Sequence, residues 1–433
     1  MNTGRGSFAK YISLISLLFS FTNFIPISAA ISGLALVLYP FNFAANRTSR
    51  VVIPLVFLFV YSVISVVLYD ASSLFNYDFY RRDGNFFITM TPLLFLASTV
   101  FFVDLDRTLK WFVYVSSFFN LAALSFWLVT GTGLLRGFFT GQGTTDIYTF
   151  LFVAHNAGGG FLMILCACTL AVFLNRRSML NGAVLAVNVA GLILTNSRGS
   201  MVGLACAIIL VFFVGRFRSR FYLIILTALG INLIVALYAY SKSDIEFILH
   251  RQAFVTNLLT TLTPGLAERL DSNVSNRIEV LWPLAMHGFF QSPIFGTGFG
   301  SFDDQPWRFA GWPGVFAWNA AEKTFHSDAH AHNTYFNVLA ETGAIGLILL
   351  LWFLNRLFNF VFTLPPSLIR NALLLGFWAA VVSAFTEHRL FTPSQMLPFV
   401  ILVGLTIAHH RFVTEEAGST RALKPAFAGL RER

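Results

Sequence analysis

The sequence predicts an all-α, polytopic integral membrane protein of about twelve transmembrane helices, with one large outer loop between helices 9 and 10. Three observations predict it. Of 433 residues, 56% are hydrophobic and only 11% charged, whereas a soluble domain carries roughly 25% charged residues. Fifty phenylalanines lie largely in long apolar runs, for which lipid is the natural solvent. Basic residues also alternate along the chain between rich and poor connecting segments, as loops on opposite sides of a membrane do.

A ruler of about 20 mostly apolar residues per span places the helices at 8–22, 24–40, 51–69, 86–103, 111–129, 149–174, 180–195, 201–215, 221–240, 333–355, 371–386 and 394–410. The chain then divides into helices 1–9 (1–240), a loop domain (241–332), helices 10–12 (333–411) and a polar tail (412–433). The tail is basic and reads as a disordered cytoplasmic end. The N-terminal Met1-Asn2-Thr3-Gly4-Arg5 leads into an apolar stretch without a small-residue cleavage site, which reads as a retained first span.

An even number of spans puts both termini on one side. With the termini cytoplasmic, 18 of the 29 Lys and Arg fall inside, and six of the other 11 lie in the long 241–332 loop, where the positive-inside rule has little force. Short loops alone give 18 to 5, and the acids run the other way, 15 of 20 outside. The net charge of +9 is therefore a topology signal, not a nucleic-acid footprint. Cys166, Cys168 and Cys206 all fall in apolar segments and read as packing residues. The loop's Trp282, Trp307, Trp312 and Trp318 suggest a domain lying on the membrane face.

Chemistry is sought on the outer side, since lipid alone explains the spans. Asn196-Ser197-Arg198-Gly199-Ser200 is a polar pinch between apolar segments. It is either a hairpin with a snorkelling arginine or a turn holding a planar fork for phosphate. Arg277 stands on a stretch with Trp282 and Phe289 that leads to Gly296-Thr297-Gly298-Phe299-Gly300. Without a P-loop lysine or a strand before it, that glycine string reads as a turn with close backbone packing.

His332-Asn333-Thr334-Tyr335 opens the tenth span, with Gly343 and Gly346 further in. On a regular helix His332 and Gly343 are offset by about 20°, and His332 and Gly346 by about 40°, so all three share one face. Small residues there would admit a close helix neighbour beneath an imidazole. Glu341 points the other way and needs a partner or a polar cavity. His326, His330 and His332 with Asp328 form a weaker metal candidate, because their spacing matches no recognised zinc pattern. Arg82 and Arg389 lie in other outer loops, as rim cations or interfacial anchors.

These elements, in this order, resemble the O-antigen ligase and polymerase superfamily of type C glycosyltransferases. His332, Asn333, Gly343 and Gly346 meet the ligase-type histidine signature. Ser197-Arg198-Gly199 is similar to the family's Ser-Arg element, and Arg277 with Trp282, Pro293, Gly296, Gly298 and Phe302 to its approach to the histidine. The resemblance implies an inverting transfer, on the periplasmic side of a bacterial inner membrane, from undecaprenyl-pyrophosphate-linked glycan to lipid A-core. His332 would be the general base and Arg198 and Arg277 the pyrophosphate ligands, with Asn333, Arg82 and Arg389 as further candidates. No metal or other cofactor is implied, and no carboxylate pair with metal-binding spacing occurs in the outer loops. Polymerases share the motif, and the single dominant outer loop favours a ligase. A transporter or flippase would place charges near the midplane and show related halves; the sequence shows neither a convincing repeat nor, beyond Glu341, such charges.

Overall fold

The computed structural model describes residues 49–76, 79–80, 83–131, 147–152, 154–214, 220–243, 277–302, 318–319, 324–325 and 330–428, with scattered positions between 15 and 38. The first two expected spans therefore fall largely outside the described residues. The other ten each coincide with a helix. They are α1 Ser49–Asp70, α2 Asn85–Ala97, α3 Leu105–Thr130, α4 His155–Asn175, α5 Met179–Leu194, α6 Arg198–Ile209, α7 Phe221–Lys242, α9 Thr334–Thr363, α10 Leu368–Ser383 and α11 Pro393–Ala428. Between α7 and α9 the outer loop contributes α8, Trp282–Gln291. Trp318–Asn319 pairs antiparallel with Thr324–Phe325, and these two short strands are the departure from helix among the described elements.

Six of these helices are long and apolar enough to cross a bilayer, and four are shorter apolar ones. At 13 residues and 1.5 Å per residue, α2 reaches only about 20 Å, short of the roughly 30 Å hydrocarbon core. The expected 86–103 span thus overruns it. The chain leaves the helix at Ser98, where the Ser98 and Thr99 hydroxyls bond back to Leu94 and Leu96 carbonyls. The 180–215 stretch does separate into two helices, broken at Thr195-Asn196-Ser197 with Asn196 at φ 52°. At the far end α11 continues to Ala428, so the disordered tail is corrected. Beyond the apolar span, which ends at Thr414, Glu415, Glu416, Ala417 and the run Arg421–Lys424 favour helix and outnumber Gly418 and Pro425, which oppose it.

Caps punctuate the bundle where the sequence supplies short polar side chains. Asp104, Ser178 and Ser367 accept from the backbone N–H groups of Arg107, Asn181 and Arg370, and Gly131 closes α3 in the left-handed region. In the interior α4 and the membrane part of α11 have 78% of their spans buried, against 17% for α7, the most exposed of the six long helices. Polar residues fasten α3, α4 and α5 together. Asn188 donates to Ser117 Oγ at 2.7 Å and Thr169 Oγ1 at 3.0 Å, and Asn120 donates to Asn188 at 3.1 Å. Such bonds hold helices that have no hydrophobic reason to meet in lipid.

The loop segment from Arg277 to Phe302 packs on α7 and α9, while Trp307 and Trp312 of the same loop lie outside the described residues. Its docking depends on a break in α9. Gly343 has φ 64° and ψ −163°, far from helical. The break frees carbonyls above it and N–H groups below, and the loop takes both. Thr297 and Gly298 donate to the Ala340 and Glu341 carbonyls at 3.0 and 2.9 Å. Ala344 and Ile345 donate to the Pro293 and Ile294 carbonyls at 2.9 and 3.3 Å. Tyr61 of α1 braces the joint by donating to the Phe295 and Thr342 carbonyls, both at 3.1 Å. A Cβ on Gly296 would lie 2.2 Å from the Glu341 carbonyl and one on Gly343 2.4 Å from that of Ile294, so each position needs glycine for both space and φ.

Candidate active site

The break at Gly343 also corrects the shared helical face. Helical phase does not carry across a residue at φ 64°, and His332 lies outside α9 altogether, at φ 46°. Asn333 is the N-cap: its side chain accepts from the Tyr335 and Phe336 N–H groups at 3.1 and 3.2 Å. Its placement is that of a structural cap. Glu341 is buried and accepts from the Phe302 N–H at 3.3 Å, so the docked loop supplies the partner that an acid in a span needs.

Three contacts aim the turn before α9 at the α10–α11 connection. Thr334 N–H donates to the Ala384 carbonyl at 2.8 Å, Thr334 Oγ1 to the Glu387 carbonyl at 3.1 Å, and Tyr335 Oη to the Val381 carbonyl at 3.0 Å. His332 then meets Glu387, with Nδ1 2.9 Å from Oε2 and the ring side chain 24% exposed. Arg277 reaches the same carboxylate from the outer loop. Its Nη2 donates to Glu387 Oε1 at 2.6 Å and its Nη1 to the Thr386 carbonyl at 2.7 Å.

Arg198 heads α6 and is exposed. Its neighbour Gly199 lies against the same connection, since a Cβ there would be 2.6 Å from Thr386 Oγ1 and 3.3 Å from Glu387 Cγ. Arg389 is no rim cation or interfacial anchor but a fully buried bolt. It donates to the Asn156 carbonyl at 2.8 Å, to Gln395 Oε1, and to Ser197 Oγ at 3.0 Å, fixing the Ser-Arg turn to α4 and α11. Thus Arg277 and His332 converge on the connection 384–392, which itself carries Arg389; Arg198 is brought near it through its neighbour Gly199, and Asn333 caps the helix beside it. Arg82 lies outside the described residues.

Electrostatics follow from this crowding. Burial alone would push the Glu387 carboxyl up. The hydrogen bond from His332 and the charges of His332, Arg389 and Arg277 outweigh it and hold Glu387 well below the usual carboxylate range. His388 is driven down to about 3, chiefly by burial and then by His332. His330, 4.4 Å ring to ring from His332 and 4.9 Å from His388, is likewise lowered by burial and by the charges beside it. Both therefore stay neutral near pH 7. Arg389 is lowered to about 10 by burial, with Glu387 opposing, and it too keeps its charge at neutral pH.

His330, His332 and Glu387 offer ligand atoms within 4.8 Å of one another. His326 and Asp328, the other members expected of a metal cluster, lie outside the described residues. Both carboxylate oxygens of the trio are already engaged, one by a guanidinium. A dication would have to enter beside Arg277 and Arg389, whose charges repel it. The arrangement suits an anion and a proton better than a metal.

Residues 182–351 match the family model described as O-antigen ligase. That segment belongs to the O-antigen ligase superfamily. No curated protein matches the chain. The ligase-type segment runs from α5 into α9 and carries Arg198, Arg277, His332 and Asn333, within a membrane protein of several spans. A match to that family implies a glycosyltransferase-like activity on lipid-linked glycan. Glu387, His388 and Arg389 lie beyond the matched segment, and the sequence reading named only the arginine. A signal was present: an acid, an imidazole and a guanidinium in consecutive positions of a short outer loop. What sequence alone does not supply is the fold that carries this loop to His332.

Proposed function

We propose that the protein is an O-antigen ligase, transferring a glycan from undecaprenyl pyrophosphate to lipid A-core on the periplasmic side of the inner membrane, both termini being cytoplasmic. One observation carries the reading: an imidazole and a guanidinium, 55 residues apart in the sequence, meet on one buried carboxylate in the connection between α10 and α11. With Glu387 ionised, the His332 Nδ1–H donates to Oε2, which leaves Nε2 as the proton acceptor. His332 Nε2 takes the proton of the acceptor hydroxyl, and that oxygen attacks the anomeric carbon from the face opposite the pyrophosphate. The anomeric C–O bond breaks, its electron pair leaves with pyrophosphate, and the configuration inverts. Arg277 and Arg198 take up the growing negative charge. Cationic forks suffice for so competent a leaving group, and the reading uses no metal or other cofactor.

The basic residues of the short loops support the orientation, and α7, open to lipid beside α8, offers a flank along which a polyprenyl chain can lie. The test is to incubate the purified protein with lipid-linked glycan, with and without lipid A-core. Transfer onto the core is expected. Growth of the lipid-linked chain without core would replace the ligase by a polymerase, and no glycosyl transfer at all would remove the reading.

A further inference from the structure

The carboxylate of Glu387 stands between the two halves of this chemistry. Arg277 Nη2 occupies one oxygen at 2.6 Å and His332 Nδ1 the other at 2.9 Å. The side chain is only 7% exposed, so water does not dilute the competition between its partners.

The two arginines near it differ in how they are held. Arg389 is fully buried and donates to Asn156, Gln395 and Ser197, acceptors that no anionic substrate removes. Arg277 is 16% exposed and makes one bond to a carbonyl and one to the carboxylate; the Nε of each arginine is buried without a hydrogen-bond partner, but only Arg277 has an exposed edge. Arg389 therefore supplies a constant positive field behind Glu387, whereas Arg277 is exchangeable. The unfilled Nε also lets it gain a bond when an oxyanion arrives.

We propose that Glu387 is a positioning residue that couples donor binding to proton acceptance: an incoming pyrophosphate draws Arg277 off the carboxylate and leaves Glu387's full charge to His332. The proposal rests on Arg277 as a pyrophosphate ligand and His332 as the base. Before the donor binds, Arg277 neutralises part of the charge that would stabilise a protonated His332. Once it turns to the phosphates, the imidazolium formed during transfer faces an undivided carboxylate. Glu387 stays ionised throughout, and the proton stops on His332 Nε2. The remaining groups around the pair are Arg389 and the neutral His330 and His388, none of which can take the proton as readily. Coupling of this kind is reciprocal: the carboxylate that strengthens the base must also compete with the donor for Arg277.

That reciprocity sets the experiment, done with the full chain in detergent. Glu387→Gln should lower kcat about 10–100-fold, the usual cost of losing a group that orients a functional histidine. The same variant should bind undecaprenyl pyrophosphate several-fold more tightly, because the donor no longer competes with a carboxylate. A merely structural carboxylate would give weaker binding together with lower kcat, and that result overturns the proposal, as does wild-type behaviour in both. Should Glu387→Gln not fold, Glu387→Asp keeps the charge but is one methylene too short to hold both partners. It should lose kcat, and full kcat would overturn the coupling. Transfer by His332→Ala at the wild-type rate would instead remove the base itself. An inert His332→Ala beside a fully active Glu387→Gln removes the coupling alone.

Discussion

The turns that open α6 and α9 use the same backbone device to opposite ends. Each places a non-glycine residue in the left-handed region, Asn196 at φ 52° and His332 at φ 46°, two residues before the helix starts. At α6 the strained residue is an adapter. Ser197 is locked by Arg389, and Arg198, one step into the helix, is left exposed. At α9 the strained residue is the chemical one, with its ring clamped to Glu387 and the cap Asn333 following. A backbone outlier thus marks where the fold has over-determined a turn; which neighbouring side chain is held and which is offered depends on the partners behind it. An offered arginine suits a ligand that arrives from solvent or lipid, and a clamped imidazole suits a proton that must move in one direction.

The largest expected effect strikes the clamped side. His332→Ala should cut transfer by about 10²–10⁴-fold, the range for a lost general base, with detergent gel filtration unchanged; a fold defect instead would make His332 structural. Arg277→Met leaves Glu387 with one cationic partner fewer in a mostly buried place. It should cost about 3 kcal/mol of stability and weaken donor binding, read by denaturant unfolding and by affinity for undecaprenyl pyrophosphate.

On the offered side, Arg198→Lys keeps the charge and loses the fork, so kcat/KM should fall about tenfold, about 1.4 kcal/mol, with no change in unfolding. Equal stability loss in Arg198→Lys and Arg277→Met would erase the contrast between the two turns. Acidification tests the histidines behind the clamp. His388 titrates near 3 when folded against about 6.5 when unfolded. The unfolded state therefore binds the extra proton first, and stability is lost as pH falls below about 6.5, by about 1.4 kcal/mol per pH unit for this one group. His388→Asn should flatten the slope of unfolding temperature against pH between 6.5 and 5. Smallest, Asn333→Ala should cost about 1 kcal/mol through the lost cap, and Asn333→Asp should restore it.

Most of the fold was legible because lipid imposes a simple rule on composition. Ten of the expected spans coincide with described helices, and Asn196-Ser197-Arg198 was visible as a break between two of them. The site was legible by residue type, since arginine and histidine at the outer ends of apolar segments have few structural uses. Helical phase misled at Gly343, where the backbone leaves the helix to accept a loop. Glu387 escaped because its meaning lies in two partners 55 and 110 positions away, and Arg389 resembled an interfacial anchor because an arginine's burial is set by tertiary packing. The helical tail escaped for another reason: polarity was taken as disorder although most of its residues favour helix.

The joint at Gly343 has a consequence for how such a protein can diversify. Four main-chain bonds hold segment 293–298 to the top of α9, so the segment bearing Arg277 and the turn bearing His332 travel as one piece. Their separation is written in main-chain amides and carbonyls, with glycine required at 296 and 343. Side chains along the outer loop can be exchanged to fit a new sugar while the spacing between cation and base remains fixed.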